Sequence, residues 1–84
     1  MTALRYIAGA MRPLETEYKE WTIRVITRPA GRGFSGLVEV WAPGKSGPKD
    51  AQLVPYNVIS QNEKAAQEGG RIAAVRYIDR QAKS

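Results

Sequence analysis

The side chains in this chain that could do chemistry are carboxylates, lysines, arginines, tyrosines and two tryptophans, because its 84 residues include no histidine and no cysteine. Histidine and cysteine supply most near-neutral general bases, thiolate nucleophiles and structural zinc ligands, so the commonest catalytic and metal-binding plans are closed. The carboxylates do not form an acid/base pair by position. Glu15, Glu17 and Glu20 fall in a polar stretch, Glu39 falls opposite Arg24 in the register derived below, and Glu63 has the position of a helix cap. Asp79 lies near a helix end, where the dipole disfavours a carboxylate, and so calls for a partner such as Arg76 or Arg80. No catalytic, metal-binding or cofactor-binding residue is assigned, and the chain is read as non-enzymatic.

Two glycine motifs imitate phosphate-binding loops. Gly31-Arg32-Gly33-Phe34-Ser35-Gly36-Leu37-Val38 has the spacing of the protein-kinase glycine-rich loop. A kinase also needs a catalytic-loop aspartate and a metal-binding aspartate on a second lobe, which a chain of this length has no room for. A dinucleotide fingerprint must open a helix, and here a strand follows. Gly44-Lys45-Ser46 has the ending of a P-loop, but Glu39 stands where the first glycine belongs and Pro48 blocks the helix that would hold the phosphate. These glycines are turn residues.

The net charge is +5, and the excess lies beyond residue 20: the first twenty residues balance three cations against three carboxylates. Arg24, Arg28, Arg32, Lys45 and Lys49, with Trp41 as a stacking platform, define a basic nucleic-acid-binding surface as one candidate function. A solubilising role for the same hairpin-end charges is the competing reading.

The elements that position these groups follow from periodicity. Residues 21–27 alternate, with Trp21, Ile23 and Val25 on one face and Thr22 and Arg24 on the other, and residues 34–41 alternate after a turn at Arg28-Pro29-Ala30-Gly31-Arg32-Gly33. This is a hairpin. Its register follows from matching apolar and opposite-charge partners: Val25 with Val38, Ile23 with Val40, Arg24 with Glu39, Ile26 with Leu37 and Thr22 with Trp41. The inner face is then uniformly apolar. The outer face carries Arg24, Ile26, Arg28, Leu37 and Trp41, and these five residues are the candidate interaction surface, since large apolar side chains left on an outer face mark contact sites.

Residues 42–50 are rich in glycine and proline and read as a flexible connection; residues 51–59 read as a third strand, placed at an edge by Pro55. Ser60-Gln61-Asn62-Glu63 has capping-box spacing, so a helix is expected from residue 61 to about 81, with Ala66, Gly70, Ala73 and Tyr77 on its buried stripe. Gly69 and Gly70 either allow a close approach to the sheet or mark a kink. Residues 1–17 read as an N-terminal arm or short helix, from the spacing of Leu4, Ile7, Ala8 and Met11, and if ordered would cover the outer face. The expected core is Trp21, Ile23, Val25, Phe34, Val38, Val40, Leu53, Ala66, Ala73 and Tyr77.

The segments Tyr18-Lys19-Glu20-Trp21-Thr22-Ile23, Gly36-Leu37-Val38-Glu39-Val40-Trp41 and Tyr77-Ile78-Asp79 resemble a group of small uncharacterised bacterial single-domain proteins. These begin on a Tyr-Lys-Gly-aromatic strand and close on an alanine-rich helix; Glu20 departs from the glycine. The resemblance covers about residues 18–80 and implies a β-β-β-α arrangement for the domain expected over residues 18–84; the group has no assigned activity, so no site residue carries across.

The expected fold is therefore α+β: a three-stranded antiparallel sheet, one long C-terminal helix across its inner face, and an N-terminal arm or short helix. Helix, three strands and helix is also the order of a double-stranded-RNA-binding domain, but Gln61-Asn62-Glu63-Lys64 stands where its second helix opens with a lysine cluster, so the phosphate-clamping positions are mostly missing. The expected function is a small interaction module that binds a protein partner or itself, as a homodimer, through the outer face or the edge strand; the alternative is the basic nucleic-acid binder. Residues 1–14 carry Arg5 and Arg12 and no unbroken apolar run of signal-peptide length, and no stretch approaches a membrane span, so the expected location is cytoplasmic.

Overall fold

The computed structural model describes residues 13–83. Four strands, β1 (Leu14–Tyr18), β2 (Trp21–Ala30), β3 (Gly33–Trp41) and β4 (Gln52–Val54), form one antiparallel sheet in the order β1-β2-β3-β4, and helix α1 (Glu63–Lys83) lies across one face. The α+β class and the long C-terminal helix agree with the sequence reading. The strand count does not, because residues 14–17, expected to belong to an arm or short helix, form a fourth strand together with Tyr18. Leu14, Thr16 and Tyr18 face inward at period two while Glu15 and Glu17 face out, and the tight turn that follows returns the chain directly onto β2. The expected helical spacing of Leu4, Ile7, Ala8 and Met11 lies outside the described residues.

That turn is unusual in composition. Tyr18 pairs with Trp21, leaving a two-residue loop whose members, Lys19 and Glu20, have φ of 51° and 70°. Both central positions at positive φ define a type I′ turn, the form whose twist matches a hairpin, and such positions favour glycine or asparagine. Glu20 stands at the second of them, where glycine would carry no strain. Replacing it is therefore expected to relieve backbone strain: Glu20→Gly should stabilise the fold by about 1 kcal/mol, read as a rise in the thermal midpoint of roughly 4–8 °C.

The β2–β3 register is the expected one, pair for pair: Thr22↔Trp41, Ile23↔Val40, Arg24↔Glu39, Val25↔Val38 and Ile26↔Leu37. Ile23, Val25, Val38 and Val40 are fully buried beneath α1. The third predicted strand is shorter than residues 51–59. β4 ends at Val54, the chain then loops out over residues 55–59, and Ser60 returns to exchange two backbone hydrogen bonds of 2.8 Å with Phe34. In this register the nitrogen of Pro55, like that of Leu53, would face the free edge and not β3, so the strand is cut short by the loop that carries Ser60 back to Phe34. β4 does lie at a sheet edge.

The helix starts by a different device from the one expected. Asn62 caps it, its Oδ1 accepting from the Ala65 amide at 2.8 Å, and the Ser60-to-Glu63 capping box does not form. Ser60 is committed to the Phe34 bridge, while Glu63 turns inward to accept from the Thr27 hydroxyl at 3.0 Å. Thr27 is the one buried polar residue among those described, and this bond satisfies it.

Along α1 the buried positions are Ala66, Gly70, Ala74 and Ile78 rather than Ala66, Gly70, Ala73 and Tyr77. Ala73 and Tyr77 pack half-buried at the β4 side of this stripe, where the Tyr77 hydroxyl donates to Gln52 Oε1 at 2.8 Å. Two further expected core members are displaced. Leu53 points outward and is 63% exposed while its neighbour Val54 is buried, and Phe34 is half-buried at the hairpin end, outside the central cluster. The paired glycines serve close approach: a Cβ on Gly70 would stand 2.8 Å from Val25 Cγ1 and 3.0 Å from Val38 Cγ2, and one on Gly69 would collide with the Tyr56 hydroxyl.

Candidate interaction surface

The inner face is closed by α1, so contact surfaces must be sought on the outer face and along the two free edges. The outer face reads, across the strands, as a charged row Glu15–Arg24–Glu39 that ends at Leu53, flanked by Thr22 and Trp41 on one side and by Ile26 and Leu37 on the other. Arg24 holds the row together: its Nε donates to Glu15 Oε2 at 3.0 Å, and its Nη1 lies 4.0 Å from Glu39. Its guanidinium also stands over the Trp41 ring, 5.7 Å from the centroid.

Trp41 is not the exposed platform that its parity implied. It faces outward, but it is only 8% exposed because residues 42–50 fold back over it. The indole Nε1 donates to the Gly47 carbonyl at 2.9 Å, and the turn is fixed by the Lys45 amide on Ala42 and by Gly44 at φ 83°. A stretch read as a flexible connection is thus an ordered cover over a large aromatic ring. A shallow cleft of about 130 Å³ remains beside it, lined by Glu15, Thr22, Arg24, Trp41, Lys45 and Ser46.

Of the five residues named from the sequence, Ile26 and Leu37 do meet as a cross-strand pair, both half-buried; Arg24 is half-buried in its ion pairs; Arg28 is exposed; Trp41 is covered. The most exposed large apolar side chains lie elsewhere, on the β4 side. They are Leu53, Val58 and Ile59, at 63%, 51% and 58%. Leu53 adjoins Leu37 diagonally on the outer face, and Ile59 borders a second cleft of about 200 Å³ with Arg32, Gly33, Ser60 and Gln61. Strand alternation could not expose this group in the sequence, because Leu53-Val54 and Val58-Ile59 are adjacent apolar pairs with no period.

The turn end of the sheet carries a polar cluster. Asp79 Oδ1 accepts from the Tyr18 hydroxyl at 3.0 Å and from Lys19 Nζ at 2.9 Å, joining the end of α1 to the β1–β2 turn. Both of these partners of Asp79 are reached across the chain. The hydrogen bond and charge of Asp79 raise the Lys19 pKa above 10.5. A raised folded-state value means the contact favours the fold below the unfolded value and is lost as pH rises through the folded one. On the helix surface Arg71 and Glu68 pair at i, i+3; the hydrogen bond from Arg71 lowers the Glu68 pKa and raises that of Arg71.

Among the described residues no group of three or more acidic side chains could hold a metal ion, and no helix is long and apolar enough to cross a membrane. No family model matches the chain, and no curated protein or solved structure shows significant similarity to it.

Proposed function

We propose that the chain is a small non-enzymatic interaction module that binds a protein partner or a second copy of itself through the β4 edge and the adjoining outer face. The observation that carries this reading is the exposure of Leu53, Val58 and Ile59, each more than half open to solvent on one side of the molecule. Covering the half or so of each side chain that remains in water would contribute roughly 1 kcal/mol apiece to docking a partner. Ile26 and Leu37 extend the patch across the sheet. A cytoplasmic setting fits a chain without cysteine.

The alternative, a basic nucleic-acid binder, rests on Arg24, Arg28, Arg32 and an exposed tryptophan. It is the weaker reading, because Trp41 is covered and Arg24 is engaged by two carboxylates, so the stacking platform is missing. Sedimentation equilibrium and co-purification of the wild type against Leu53→Lys/Ile59→Lys separate the two. The expected result is a wild type that associates with itself or retains a protein partner, and a variant that melts at the same temperature and does neither. A strictly monomeric wild type that retains no protein would overturn the proposal, and salt-sensitive retention of RNA or DNA would favour the alternative.

A further inference from the structure

The sheet has a second free edge, β1, and its chemistry differs from that of β4. In a two-residue hairpin the residues that bracket the loop form a hydrogen-bonded pair, and such pairs alternate along the ladder. Tyr18, Thr16 and Leu14 therefore bond to β2, while Glu15 and Glu17 direct their N–H and C=O groups away from the sheet. β1 ends the strand order, and among the described residues nothing pairs with that edge. The equivalent edge of β4 is a poorer template. Only Leu53 presents a free N–H and C=O there, since the Ala51 amide donates to Pro48 and Pro55 has no N–H.

Charge decides which strand β1 can accept. Glu15 and Glu17 project on the outer face, and Glu20 follows in the turn; of the lysines nearby, Lys19 is tied to Asp79, and Lys45 lies across the cleft that Glu15 and Arg24 line. Glu15 is paired with Arg24, whereas Glu17 has no ion pair among the described residues. A second copy is a poor occupant: antiparallel self-pairing about Thr16 sets Glu15 of each copy against Glu17 of the other, and like charges directly opposite are destabilising. Strands added to an exposed edge take affinity from main-chain hydrogen bonds and selectivity from alternate side chains.

We infer that the free edge of β1 accepts an extended segment of a partner protein as a fifth strand, with lysine or arginine at the two alternate positions that face Glu15 and Glu17. This rests on the interaction-module reading and adds a second, charge-selective surface to it. The test is an amide-resolved NMR titration of the full chain with a short peptide of alternating lysine and valine and with its glutamate counterpart. The lysine peptide should bind about tenfold tighter, with shifts and exchange protection at Glu15 and Glu17. Glu17→Lys should reverse the preference. Glu17→Pro removes an outward N–H without touching the β2 ladder and should abolish binding of both peptides. Equal affinity for the two peptides, or no response to either, overturns the inference. So do shifts confined to Leu53 and Ile59, although that outcome would leave the β4 interaction reading standing.

Discussion

Replacing Gly70 by alanine should destabilise the fold by about 2 kcal/mol, although alanine is the better helix former. Two effects oppose each other. Removing a mid-helix glycine gains about 1 kcal/mol of propensity. Against it, the new methyl group would stand 2.8 Å and 3.3 Å from the two γ-carbons of Val25 and 3.0 Å from Val38 Cγ2. Both valines are fully buried on the two central strands, and β-branched side chains have little rotamer freedom with which to yield. The helix must lift, and overpacking of this kind costs up to about 3 kcal/mol. Gly69→Ala provides the control within the same turn. Its methyl would meet only the far end of Tyr56, a half-buried side chain that can swing aside, so the lost Tyr56 contact and the propensity gain should nearly cancel. Thermal melts of the two variants should therefore differ by roughly 8 °C or more, with Gly70→Ala the lower. Equal melting points would mean that α1 can shift over Val25 and Val38 without loss.

What the sequence made legible was the part governed by strict alternation. The register of β2 against β3 followed from placing Val25 on Val38 and Arg24 across from Glu39, because a slip by one residue would turn an all-apolar face into solvent. The rest depended on forces that leave no period. β1 is only five residues long and three of them are threonine or glutamate, so a strand signal was hidden behind the helical spacing upstream of Pro13. Trp41 obeyed its predicted parity, yet its exposure was set by a glycine- and proline-rich loop whose hydrogen bond to the indole no alternation encodes. The capping-box spacing was genuine, but Ser60 was claimed by Phe34 and Glu63 by Thr27, which are contacts between distant segments. The candidate surface shifted for the same reason: Leu53 is exposed because it faces outward from the edge strand, and Val58 and Ile59 because residues 55–59 leave the sheet before Ser60 rejoins it at Phe34.

The phase of α1 is the correction with the largest energetic consequence, and it can be measured directly. The spacing predicts a stripe that continues from Ala66 and Gly70 through Ala73 and Tyr77, whereas the structure continues it through Ala74 and Ile78; i+3 and i+4 steps both stay on one face. The chain selects Ala74 and Ile78 because Tyr77 carries a hydroxyl. At the flank of the stripe that hydroxyl reaches Gln52 Oε1 at 2.8 Å, whereas beneath the helix it would be buried among Ile23 and the valines with nothing to bond. Ile78→Ala is accordingly expected to cost about 3–4 kcal/mol, and Tyr77→Phe about 1 kcal/mol. A domain of this size has a total stability of roughly 4–12 kcal/mol, so the first change should leave it close to unfolding at physiological temperature while the second is tolerated. The consequence reaches the surface as well. Asp79 follows Ile78 and holds Tyr18 and Lys19, so a helix end loosened at Ile78 should release the β1–β2 turn. Urea titration followed by tryptophan fluorescence, with hydrogen exchange at the Tyr18 to Trp21 turn, checks both effects. If instead Tyr77→Phe were the more damaging of the two substitutions, the helix would have to be rotated by one position about its axis, and Ala73 would lie over the sheet.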